Sequence, residues 1–376
     1  MLYEIDESCL SVLETGDNNC IHFFEQLALD RKKCKNIVIA KRIVFEKLSK
    51  MNCFSDYVRT IYRILGNRGS EYKLILSSTK KYCKIVAEST GKSLIHDGGH
   101  DIIILPIREA SDKDYGEKTI MITENQDEIS FYKIIGHYYM NQKKIGNISI
   151  DFDERNGGGS TIAPTLEKVI SEGERTCLCI VDSDKKYSSA SNGSTMENVK
   201  KVIKNLDQTY FEVLLLEIHE IENLIPISIL ENIVKSNNLS EQGLSFMKYL
   251  ISINSQGESP VFYFDVKKGI PSNLFFLPED AQKEQVKKYN KGDKYRRYWE
   301  KYINTFGVDI ESKRSQETII DGICVKVLKH AIEYLDKTKK EGKAGIVEIE
   351  PYIQNMWMEI GEKIYCWGCV GHRIAI

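Results

Sequence analysis

Two aspartates one residue apart, Asp182 and Asp184, close the run Cys177-Leu-Cys-Ile-Val181. An apolar run of this length, rich in small and β-branched residues, is a buried strand of an α/β sheet. Ligand sites in such sheets lie just beyond the carboxyl ends of the strands. Two carboxylates there form a hard-oxygen site suited to Mg²⁺ or Mn²⁺. Without chemistry the same residues read as an acidic turn, since Asp and Ser favour turns. Other acids follow other strand-like runs: Glu124 after Thr119–Thr123, and Glu220 and Glu222 after Phe211–Leu216. Strand ends of a parallel sheet share one edge, so a Glu, an Asp-x-Asp and a further Glu there make a metal constellation. Lys185, Lys186 and Arg155 are candidates for contact with a phosphate.

The elements that must position these residues alternate between residues 117 and 230. Strand Thr119–Thr123 is followed by helical spacing over Ile129–Met140, then strand Ile148–Phe152 and the flexible loop Gly157-Gly-Gly-Ser160. Ser160 or Thr161 would cap a helix running to Ser171. Strand Cys177–Val181, helix Thr195–Leu206 and strand Phe211–Leu216 complete the series. With right-handed crossovers this βαβαβαβ order gives a mostly parallel sheet flanked by helices. Residues 1–115 read as a separate α/β domain, with strands Leu2–Ile5, Asn36–Ala40 and Tyr72–Leu76 and helices Ile21–Leu29 and Tyr57–Leu65. Residues 116–234 form the central α/β domain. Residues 235–376 are mainly helical, broken by the aromatic segment Val261–Gly269.

Composition narrows the function classes. A chain of 376 residues exceeds one compact core. It has 42% hydrophobic and 28% charged residues, the balance of an ordinary folded domain. There is no apolar run long enough for a membrane span and no leader-like N-terminus, so a cytoplasmic protein away from membranes is expected. Ten cysteines without regular spacing read as free thiols. Cys366-Trp-Gly-Cys369, with His372 beyond, lacks the second ligand pair of a zinc site. No Walker-type phosphate loop, Gly-x-Gly-x-x-Gly or Gly-x-Ser-x-Gly occurs. A net charge of −2 argues against a general nucleic-acid coat. Lys283–Arg297, where basic and aromatic residues interleave, could track a phosphate backbone.

The central region resembles the TOPRIM domain of topoisomerases, bacterial-type primases and overcoming-lysogenisation-defect (OLD) nucleases, which carries a Glu after its first strand and an Asp-x-Asp after its third. Glu124 and Asp182-Ser-Asp184 occupy those places. Glu220-Ile-Glu222-Asn223-Leu-Ile-Pro226, Gly158-Gly159 and Phe264-Asp265-Val-Lys267-Lys-Gly269 are similar to segments of TOPRIM nucleases from bacterial anti-phage systems. The family's Gly after the motif Glu is here Asn125, a tolerable substitute if the turn needs positive φ. A fainter likeness to PIN-type ribonucleases would use Asp6, Glu46 and Asp101, with Glu124 or Asp127 in a fourth place.

The TOPRIM resemblance implies metal-dependent phosphodiester hydrolysis of DNA or RNA, with Mg²⁺ or Mn²⁺ on Asp182 and Asp184. Glu124 would be a ligand or general acid/base, and Glu220 or Glu222 would complete a second metal position. An inactive TOPRIM-like scaffolding subunit is the rival of another class. Since no ATPase or sensor motif is present, activity is expected to depend on a co-encoded regulatory or ATPase partner, or on homo-oligomerisation.

Overall fold

The computed structural model describes the chain except residues 89–90, 92, 254–258, 278–281, 339–347 and 375–376. Two compact units emerge, and both are discontinuous in sequence. One comprises Met1–Ile180, Asn198–Leu214 and Met356–Ile376; the other comprises Val181–Glu197 and Leu215–Asn355. The sequence reading drew three consecutive segments instead.

The first unit holds two sheets. The N-terminal one is five-stranded, in the order β2-β1-β3-β5-β4, with β1 at Leu2–Ile5, β2 at Ile37–Ala40, β3 at Lys81–Val86, β4 at Ser93–Asp97 and β5 at His100–Pro106. β1, β2, β3 and β5 are parallel, and only β4 runs against its neighbour. β1 and β2 are buried along their whole length, which explains the unbroken apolar sequence of β2; β1 carries one acid, Glu4, itself buried. The expected strand Tyr72–Leu76 lies instead within the helix Gly69–Ser78. Leucine is a strong helix former, and the run has one β-branched residue, Ile75, to favour a strand.

The second sheet is four-stranded, β10-β9-β6-β8, with β6 at Ile120–Thr123, β8 at Asp153–Asn156, β9 at Cys177–Asp182 and β10 at Phe211–Leu216. β6 is parallel to β8 and to β9, so the expected parallel-rich α/β architecture with flanking helices is present. The helix after β6 spans Gln126–Gln142 and the one before β9 spans Ile162–Glu172. One strand assignment changes. Residues Ile148–Ile150, expected as the second parallel strand, form β7 and pair antiparallel with β13, Cys369–Gly371. The neighbour of β6 is β8, whose sequence Asp-Glu-Arg-Asn has no apolar residue. An edge strand needs no apolar alternation, and its charges are tied off by Arg175 on Asp153, at 2.8 Å, and Lys133 on Glu154. Cys369 therefore belongs to a strand, and both Cys366 and Cys369 are buried, with the Cys366 thiol pushed up to about 12 by that burial.

The second unit is mainly helical, with the short antiparallel pair β11, Gly269–Pro271, and β12, Thr318–Asp321. Its core is aromatic: Phe246, Phe264 and Trp299 pack edge to face, with Phe306 against Phe246. The basic stretch 283–297 falls on helices Lys283–Lys291 and Asp293–Phe306. Tyr295 and Trp299 are buried in this core, so they offer no face for stacking bases. Arg296 lies 3.8 Å from the Tyr289 ring centroid and donates to the carbonyls of Leu274 and Tyr289. Arg297 pairs with Asp293 at 2.8 Å, and Lys294 is exposed. Among the described residues no helix is long and apolar enough to cross a membrane.

Candidate functional site

Asp182 is the last residue of β9, an internal strand, and is half-buried. The chain then turns: Asp184 takes φ +54, a left-handed conformation that Asp tolerates better than most side chains. Backbone hydrogen bonds hold that turn against the segment after β10. Ser183 N–H donates to Ile218 O at 3.0 Å and Asp184 N–H to His219 O at 2.9 Å. The Ser183 hydroxyl also donates to Ile218 O, at 2.5 Å. Gly193 closes the loop by donating to Ser183 O at 2.7 Å, and a Cβ on it would stand 2.2 Å from Asp184 Oδ2. Both carboxylates thus extend from backbone fixed on two sides.

The segment reached by these bonds is itself a turn. Ile221–Leu224 is a 3₁₀ helix, and Pro226 stands at the N-cap of the next helix, Ile227–Asn237. Asn223 is fully buried and ties three pieces of chain together. Its carbonyl oxygen accepts from Glu220 N–H at 3.0 Å, while its amide donates to Val261 O at 2.9 Å and Phe264 O at 2.8 Å. His219 N–H donates to Phe262 O at 2.7 Å. These bonds bring Asp265 to the turn, and the ligand atoms of His219, Glu220 and Asp265 lie within 4.8 Å of one another.

The charges in this cluster are unevenly balanced. Lys267 Nζ lies 2.9 Å from Glu220 Oε2 and 3.3 Å from Glu222 Oε1. Burial pushes the Glu222 carboxyl up; Lys267 opposes this, but Glu220 adds to it and the net shift is upward. Burial would lower Lys267, yet Glu222 and Glu220 together hold it above its ordinary range. Asp265 behaves oppositely. Burial would raise it, but the His219 ring, 3.8 Å away, and the Lys268 N–H, at 2.8 Å, hold it low. Glu220 and Glu222 thus share one cation, Lys267, which stands nearer Glu220. Of the two, Glu220 also stands with His219 and Asp265.

Glu124, in the first unit, is exposed and directly follows β6. Its N–H donates to Glu128 Oε2 and its carbonyl accepts from Gly158 N–H, both at 2.9 Å. Gly158 and Gly159 have φ of +54 and +57, and a Cβ on Gly159 would stand 3.2 Å from Glu124 Oε1. Positive φ therefore falls on this pair. Asn125 is extended, with φ −148, and caps the following helix by accepting from Glu128 N–H.

The expected phosphate contacts are differently placed. Lys185 is ion-paired with Glu217, and Arg155 lies 3.6 Å from Asp153. Lys186 is exposed, and its carbonyl accepts from Trp299 Nε1 at 2.9 Å. The PIN-like acids are not brought together. Asp6 follows β1, whose Ile5 is in register with Ile85 of β3; Asp101, the second residue of β5, is in register with Lys81. Five residue steps separate them, roughly 17 Å along the sheet, at opposite ends. Asp6 pairs with Lys84, Asp101 with His96, and Glu46 with Arg42 on its own helix.

His219, which directly precedes Glu220, carries no signal in the sequence, and Asp265 and Lys267 enter there only through the family likeness. Single residues between hydrophobic neighbours carry no periodic signal. No family model matches the chain, no curated protein matches it, and no solved structure matches it.

Proposed function

We propose that the chain is a metal-dependent nuclease with a TOPRIM-like site, hydrolysing phosphodiester bonds in the cytoplasm as an effector of anti-phage defence. One observation carries the reading: the Asp182-Ser-Asp184 turn ends an internal strand and is bonded, through Ser183 and Asp184, to the His219 segment. Rigid backbone is what a catalytic carboxylate pair needs, because misplaced ligands lose the productive geometry. The donor set fits a hard cation: carboxylate oxygens from Asp182 and Asp184, with His219, Glu220 and Asp265 as a second group. A bound Mg²⁺ or Mn²⁺ would neutralise charge on the attacked phosphate and acidify a water.

The chain's own groups then have distinct tasks. Asp182 and Asp184 hold the cation. Lys267 keeps Glu220 and Glu222 from repelling the rest of the site. Lys186 is the preferred phosphate contact, since Lys185 and Arg155 each have an acid beside them. Turnover is gated by a partner or by self-assembly.

The test is to incubate the purified full chain with plasmid, linear DNA, single strands and tRNA, with and without Mg²⁺ or Mn²⁺, alone and with co-encoded proteins. Metal-stimulated cleavage should fall on the order of 100-fold or more in Asp182→Asn, matching the several kcal/mol a metal contributes. Cleavage that persists unchanged in Asp182→Asn and Asp184→Asn overturns the reading. Absence of any cleavage, with partners and metal supplied, favours the scaffolding role instead.

A further inference from the structure

The first unit contains a charge that neither the fold nor the proposed nuclease site uses. Arg31, in the last turn of the helix Asn18–Lys32, is 5% exposed. Its Nη1 donates to His372 O at 2.9 Å, but Nε has no partner. Among the described residues no carboxylate forms an ion pair with it. The carbonyls at its helix end carry only about half an elementary charge between them, too little to neutralise a guanidinium. A buried unpaired charge is costly, and folds retain one where something compensates it.

Arg31 opens onto a pocket of about 260 Å³, lined also by Arg68, Glu71, Asn147 and His372, with an apolar wall that includes Ile75. A narrower cavity lined by Arg31, Arg68 and Gly69 shares part of this lining. Arg68, exposed and with no ion pair among the described residues, lines both cavities; it is at once the C-cap of the helix Asp56–Asn67 and the N-cap of the helix Gly69–Ser78, so the opposed helix ends offset each other and the positive charge there is that of its guanidinium. Gly371 leaves room for the guanidinium, since a Cβ there would meet Arg31 Nη2 at 2.4 Å. Two guanidiniums face one carboxylate, which leaves the pocket a net positive charge. Burial pulls Arg31 down to about 10, with Cys34 and Glu71 opposing and Arg68 adding to it.

We propose that this pocket binds a phosphate group together with no more than the one nucleoside-sized body attached to it. Guanidiniums are the side chains best matched to a phosphate's oxygens, and this pocket is lined by two. A pocket below the usual volume for drug-sized ligands limits the rest of the molecule, and its apolar wall suits a small hydrophobic body such as a base. The phosphate has two sources: a free phosphorylated small molecule, or the terminal phosphate of a nucleic acid. This site is independent of the metal centre, and either can fail without the other.

The experiment is calorimetric titration of the full chain in EDTA at constant ionic strength, with inorganic phosphate, AMP, adenosine and a 5′-phosphorylated single-stranded DNA pentamer as probes. Saturable binding of phosphate-bearing probes, and none of adenosine, is expected. Tightest binding of AMP identifies a free small molecule; tightest binding of the pentamer identifies a nucleic-acid end. Arg31→Gln should abolish binding, and Arg68→Gln should weaken it at least about tenfold, the loss of one charged hydrogen-bonding partner. Arg68 is exposed, so its variant carries the test alone if Arg31→Gln does not fold. No saturable response to any phosphate-bearing probe, or equal affinity in wild type and Arg68→Gln, overturns the proposal.

Discussion

Each unit holds a cluster of charges built from lysine and glutamate, in inverse proportions. In the first, one carboxylate serves two ammoniums: Glu212 lies 3.0 Å from Lys81 and 2.6 Å from Lys363, and accepts from Trp367 Nε1 at 2.7 Å. In the second, one ammonium serves two carboxylates, with Lys267 between Glu220 and Glu222 and the His219–Asp265 pair alongside. Burial raises both acids, but the outcomes differ in sign. Lys81 and Lys363 overcome it at Glu212 and hold that carboxyl low, whereas Lys267 does not overcome it at Glu222. A surplus of cations locks an acid in its ionised form and makes a structural knot. A surplus of acids leaves negative charge and a proton to share, which is the condition for binding a metal or moving a proton.

The comparison is most directly broken at its structural end. Glu212→Ala leaves two buried or half-buried lysines facing each other, one of them Lys81 at 7% exposure. A loss of about 3–5 kcal/mol is expected in urea unfolding; a loss under about 1 kcal/mol would mean that the first cluster is no knot at all. Asn223→Ala should cost about 2–4 kcal/mol, because two buried carbonyls, of Val261 and Phe264, lose their donor. It should also weaken any Mn²⁺-induced rise in Tm, since the bonds that bring Asp265 to His219 are gone. Lys267→Met sharpens the contrast further. Stability should fall by about 1–3 kcal/mol, while the Tm rise on adding Mn²⁺ exceeds that of wild type, because freed carboxylates seek a cation. An unchanged or smaller Mn²⁺ response would separate the acid surplus from metal binding.

The smallest effect is on the pH dependence of stability, and its sign differs between the clusters. Glu212 has a folded pKa below its ordinary 4.5, so its contribution is complete above that value and is lost as pH falls through the folded pKa. Glu222 has a folded pKa above 4.5, so it favours the fold when protonated, and that contribution disappears as pH rises from 4.5 through the folded pKa. Glu212→Gln should therefore flatten the acid limb of a stability profile, and Glu222→Gln the decline above it. Identical profiles for the two variants would remove the distinction.

Much of the first unit is legible along the chain. Leu2–Ile5, Ile37–Ala40, Ile120–Thr123 and Cys177–Asp182 are strands because each is a short, mostly apolar run that is wholly or almost wholly buried. Pro226 announces a break, and the 3₁₀ turn at Ile221–Leu224 ends before it. Where burial was not the local signal, the reading went astray. Strand β8 is polar because it is an edge, and β7 is apolar because it pairs with the distant Cys369–Gly371.

Local pattern by itself marked the buried strands β1, β2, β6 and β9 and showed that Asp182 and Asp184 close one of them, since hydrophobic patterning reports a residue's own burial. Tertiary structure alone decided the partners. The parallel register of β1, β3 and β5 puts Asp6 and Asp101 at opposite ends of one sheet. Asn223's hydrogen bonds across 38 and 41 residues draw the Asp265 segment to the Glu220 turn. Among the described residues the Arg31 guanidinium donates to a backbone carbonyl 341 residues away. Side-chain pairing depends on distances through space, and no spacing along the chain encodes them.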